Sequence, residues 1–108
     1  MDMSEINPPV TCQLTEERLR ERRVEVRREI VARVVETREL SDGYLLRFPR
    51  EPEIVDRLAR FIEFESVCCP FLTFTLQVEA NAGSVSLSLT GPEGTKQFLR
   101  AGLEESQG

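Results

Sequence analysis

The chain has no histidine and only one lysine. Without histidine the usual Cys-His nucleophile pair cannot form. Long apolar runs are also missing, so no membrane span and no signal peptide is expected. The opening segment MDMSEINPPV is acidic and carries two prolines, the opposite of a secretory leader. A cytoplasmic protein of bacterial type is therefore the expectation. Cysteine is scarce and odd in number, at three. A reducing compartment keeps thiols reduced, which excludes a disulfide framework. The net charge of −5 argues against a nucleic-acid partner, because phosphate binding needs cationic surface.

What is present fits a globular domain. Of 108 residues, 40% are hydrophobic and 31% charged, enough for a core without covalent staples. Residues 1–9 read as a flexible tail and 10–108 as one domain. A short β-like run, VTCQL at 10–14, precedes Thr15, which has the side chain of a helix N-cap. Glu16 and Glu17 then suit the positive first turn, and a helix is expected to about Val31, with Leu19, Val26 and Ile30 on one face. Seven arginines and five glutamates interleave between residues 15 and 33. Mixed charge of this kind reads as a solvated helix face rather than a nucleic-acid surface.

Beyond it, RVVETREL and YLLRF flank Ser41-Asp42-Gly43, a hairpin signal. A second helix is expected over about 52–68, opened by prolines. FTLQVEA and SVSLSLT then alternate across Asn81-Ala82-Gly83, with Phe74, Leu76, Val78, Val85, Leu87 and Leu89 facing inward. Gly91-Pro92 opens a last helix packed through Phe98, Leu99 and Leu103. GPEGTK at 91–96 lacks the spacing of a phosphate-binding loop, and a helix start explains it. The class is α+β: an antiparallel sheet with helices on one face, in the order β-α-β-β-α-β-β-α. The first six elements match the ferredoxin-like arrangement, leaving a strand and a helix as an extension.

The segment EFESVCCPFLTF, residues 63–74, does not read as ordinary core. On a helical wheel Ile54, Leu58, Phe61 and Ile62 form the buried stripe of the second helix. Glu65 falls in the middle of that stripe, with Cys68 and Cys69 one turn later. A buried carboxylate without compensation costs several kcal/mol, so Glu65 is expected to be paired, metal-bound or protonated. Pro70 biases Cys69 out of helical geometry and ends the helix there. In a ferredoxin-like sheet the start of the first helix and the end of the second share one edge. Cys12 would then converge on Cys68, Cys69 and Glu65.

Three readings of these thiols stay open. Three soft sulfurs and a carboxylate suit a thiophilic metal or metalloid such as mercury, arsenite, copper(I) or zinc. Alternatively the cysteines simply pack, in a non-enzymatic interaction domain that forms a homodimer through a Phe64–Phe71 patch. The third reading is a redox protein joining Cys12 to Cys68 or Cys69, since neighbouring cysteines are too close for an unstrained disulfide. Catalysis by a cysteine is disfavoured, because a helix C-terminus and a nearby glutamate both oppose a thiolate.

CQLTEE, EFESVCCPFLTF and LTGPEGTKQFL together resemble a group of small bacterial proteins without assigned activity. The E-x-x-C-C-x-F-x-x-F pattern also resembles the C-terminal part of some regulators of the mercury-resistance type. No helix-turn-helix region accompanies it in this chain. The second resemblance implies a metal-holding role for Cys68 and Cys69, with Glu65 beside them.

Overall fold

A computed structural model describes residues 14–107. The elements are α1 (Glu16–Glu29), a 3₁₀ turn (Val31–Arg33), β1 (Glu36–Leu40), β2 (Gly43–Phe48), α2 (Ile54–Cys68), β3 (Thr73–Val78), β4 (Val85–Thr90) and α3 (Thr95–Gln107). The α+β class and this order are those expected from the sequence. The tail at 1–9 and the run at 10–14 lie outside the described residues, except Leu14, which forms a bend before α1. The side chain of Leu103 also lies outside them. No helix among the described residues is long and apolar enough to cross a membrane.

α1 begins where the sequence places its cap. The Thr15 hydroxyl accepts from the Arg18 N–H at 3.2 Å, Glu16 and Glu17 fill the first turn, and Arg27 and Arg28 the last. These charges match the helix dipole at both ends. No residue within α1 is buried, whereas Ile30, immediately after it, is. In α2 the apolar stripe is deeper: Ile54 and Leu58 are fully enclosed, and Glu65 and Cys68 are buried further along. The helix stops because Pro70 has no N–H to continue it.

The four strands pair antiparallel in the order β1-β2-β4-β3. Register aligns the inward side chains into rungs, Glu39–Tyr44–Leu89–Phe74 and Thr37–Leu46–Leu87–Leu76. The period-2 alternation of the strands sends these residues toward the helices. Leu45, Arg47, Ser86, Ser88, Thr75 and Gln77 fall on the opposite face. Ile30, Leu46, Phe48, Ile54, Leu58, Val85, Leu87 and Leu89 make one continuous core. A ferredoxin-like sheet would seat residues 10–14 beside Gly43–Phe48. β4 occupies that side of β2 instead, so the sheet is two hairpins joined through β2 and β4.

Both hairpins occur where turn chemistry places them, but by different means. In the β3–β4 turn, Asn81 and Ala82 take left-handed φ values of 59° and 57°, closed by Gly83 N–H donating to Ala80 at 3.2 Å. Left-handed residues at both central positions match the twist of the strands. In the β1–β2 hairpin the turn residues are Ser41 and Asp42, and Gly43 is already paired with Leu40. Gly43 is required by proximity: a Cβ there would sit 1.8 Å from the Leu89 carbonyl oxygen. Gly102 in α3 is the contrasting case, since a Cβ there meets no atom within 4 Å. Gly43→Ala is expected to destabilise by about 3 kcal/mol through forced separation of β2 and β4. Gly102→Ala is expected to stabilise by about 0.5–1 kcal/mol through helix propensity. Urea unfolding of the two variants against the parent chain checks both signs.

Candidate thiol site and its cavity

The site grows from the last two turns of α2. Continuing the helix carries Glu65 inward on the same stripe as Leu58, and Cys68 follows one turn on. Cys69 caps the helix, its N–H donating to the Glu65 carbonyl at 2.7 Å. Residues 69–72 then turn back toward β3, with the Leu72 N–H on the Cys69 carbonyl at 3.1 Å. Cys68, Cys69 and Phe71 form a second buried cluster, packed against Leu14, Leu72 and Phe98. Phe71 and Phe98 meet edge to face with ring centres 5.1 Å apart.

Glu65 is paired. Its Oε1 accepts from Arg22 Nε of α1 at 2.8 Å, and both side chains are more than four-fifths buried. Arg22 also reaches Glu25 at 3.1 Å and lies over the Phe64 ring at 4.2 Å. The other carboxylate oxygen, Oε2, accepts from the Cys69 thiol with Sγ 3.8 Å away. One carboxylate thus joins an arginine of α1 to a thiol at the end of α2. The charge that makes Glu65 conspicuous on an apolar stripe is compensated in place.

The sequence expectations divide at this point. Glu65 and Cys69 meet, and Cys68 shares a buried cluster with Cys69, whereas Cys12 lies outside the described residues. Leu14, two residues from Cys12, packs directly on the Cys68–Cys69–Phe71 cluster. The beginning of α1 and the end of α2 therefore do meet. The expected Phe64–Phe71 surface patch does not exist. Phe71 is only 4% exposed, because the turn after Pro70 points it at Phe98, and Phe64 carries the Arg22 guanidinium on its face. Arg22 was hidden among seven arginines of similar spacing; only the packing of α1 selects it. Among the described residues no group of three or more Cys, Asp or Glu side chains could hold a metal ion.

Cys69 and Glu65 also border a half-open cavity of about 120 Å³ beneath α1, between the sheet, α2 and α3. Its walls are mostly aliphatic and aromatic, including Val26, Leu46, Leu89 and Leu99. Tyr44 lines it too, and its hydroxyl accepts from Arg100 at 3.0 Å. Arg100 and Lys96 of α3 both reach Glu39 on β1, at 3.3 and 2.9 Å. The hydrogen bond from Lys96, helped by its charge and that of Arg100, holds the Glu39 carboxyl below its usual range. That link between β1 and α3 is present at neutral pH and is lost as pH falls through the lowered value.

No protein-family model, curated protein or solved structure matches the chain.

Removing one member of the Arg22–Glu65 pair leaves a charge in a largely dry position. Arg22→Met is expected to cost about 2–4 kcal/mol, and Arg22→Met with Glu65→Met to recover most of that loss. Denaturant unfolding of the two single variants and the double variant measures the coupling.

Proposed function

We propose that this protein binds a thiophilic metal or metalloid ion through Cys68 and Cys69, with Cys12 as a third thiol. The observation that carries this reading is the carboxylate shared between Arg22 and the Cys69 thiol. Soft ions bind thiolates, so each thiol must lose its proton when the ion arrives. Glu65 Oε2, 3.8 Å from Cys69 Sγ, is placed to take that proton. Arg22 on the other oxygen supplies a cation to the same carboxylate, which offsets part of the negative charge that thiolates bring. With both oxygens so engaged, Glu65 serves outside the ligand set rather than as a ligand.

The place of Leu14 supports the third thiol. Leu14, two positions after Cys12 in the sequence, packs on the pair. Burial supports the reading as well. Cys68 and Cys69 are 6% and 3% exposed, and exclusion of water protects a soft centre from hydrolysis and exchange. The same burial would serve a purely structural pair, and the titration below separates the two.

Anaerobic titration of the reduced protein with arsenite, mercury(II), copper(I) and zinc(II), read by native mass spectrometry, is the test. One-to-one binding is expected, abolished in Cys68→Ser and weakened about ten- to a hundredfold in Glu65→Ala. Thiols that take up no ion, with Cys68→Ser changing stability alone, would overturn the proposal and leave the cysteines as packing residues.

A further inference from the structure

We infer that the thiol pair accepts a mono-organic arsenic(III) species, its carbon substituent lying in the apolar cavity that Cys69 borders. This rests on the soft-ion reading above and names the ligand class for that site. A bare ion has no use for the cavity, which Cys69 borders and which is walled by Val26, Leu46, Leu72, Leu89 and Leu99. Dry apolar cavities of roughly 150 Å³ take up a single benzene-sized ring. The space here, about 120 Å³, is of that scale, though it is half open to solvent and Arg22 and Arg23 stand at its lining. A ligand that is soft at one end and apolar at the other fills both the thiol site and the space next to it.

Valence makes the same distinction. Inorganic arsenite, As(OH)₃, exchanges three hydroxyls for three thiolates and needs Cys12 for a complete set. A mono-organic species, R–As(OH)₂, keeps its carbon–arsenic bond and has two hydroxyls to exchange. Cys68 and Cys69 replace them, forming two S–As bonds and breaking two As–O bonds. Each departing hydroxide takes a thiol proton and leaves as water, so two waters form and arsenic remains in the +3 state. Glu65 Oε2 holds the Cys69 proton between its departure from sulfur and its delivery to the hydroxide.

Gly102 offers a way to close the cavity without touching the thiols. It lines the space from α3, and a side chain added there meets no atom within 4 Å of its Cβ. Reduced full-length protein is titrated with phenylarsine oxide and with arsenite, in the parent chain and in Gly102→Phe, Val26→Phe and Cys12→Ser. Phenylarsine oxide affinity is expected to fall about tenfold or more in the cavity-filling variants while arsenite affinity stays within about twofold. Cys12→Ser is expected to weaken arsenite alone. On the unaltered chain, 4-fluorophenylarsine oxide should give a ¹⁹F resonance without the H₂O/D₂O shift of an exposed ring. An exposed ring, or equal losses for both compounds, would overturn the inference and leave soft-ion binding intact. If neither compound binds the parent chain, the inference falls, and the soft-ion reading is decided by mercury(II), copper(I) and zinc(II).

Discussion

The contact between Arg22 and Glu65 is the interaction on which the arrangement of this protein depends. α1 has no buried residue of its own, and its apolar positions reach only the rim of the core. Such a helix is held by its packing on α3 and by what it does with its charges. Arg22 meets the carboxylate at the end of α2, and Glu29 meets Arg57 nearer its start. These pairs fix α1 across the top of a cavity that close packing would otherwise fill. A carboxylate on an apolar stripe is a cost in isolation; with arginine on one oxygen and a thiol on the other it becomes the joint between two helices.

Most of the local structure was legible in the sequence because local signals and tertiary demands agree. Thr15 caps, Pro70 terminates, and alternation in β3 and β4 selects the inner face, each through chemistry confined to a few residues. The pairing of β2 with β4 was not legible. It joins segments about forty residues apart, and neither strand carries a signal that chooses its non-hairpin neighbour. Gly43 was read as a turn glycine, whereas the structure needs it for close approach to Leu89, which only the strand pairing reveals.

The site was half legible for the same reason. Glu65 stood out because a charge broke an apolar pattern, and that pattern lies within one helix. Its partner did not stand out, since an arginine among arginines gives no sign of which one turns inward. Phe71 was misplaced on the surface because the direction of the chain after Pro70 depends on the packing of α3. The cavity left no trace in the sequence: it is the space between a weakly apolar helix and a strongly apolar sheet, and neither pattern alone encodes a gap.

The two margins of the sheet are chemically unlike, and this bears on self-association. β1 forms one margin and carries Glu36, Arg38 and Glu39 along five residues, so a strand approaching there must bury charges of both signs. β3 forms the other margin as TFTLQV, without a charged residue. Unpaired backbone groups on an uncharged margin are a template for strand addition, and charges are the common protection against it. Among the described residues, charge guards the sheet against growth on the β1 side only. Of the two described margins, β3 is the one whose composition leaves room for an added strand.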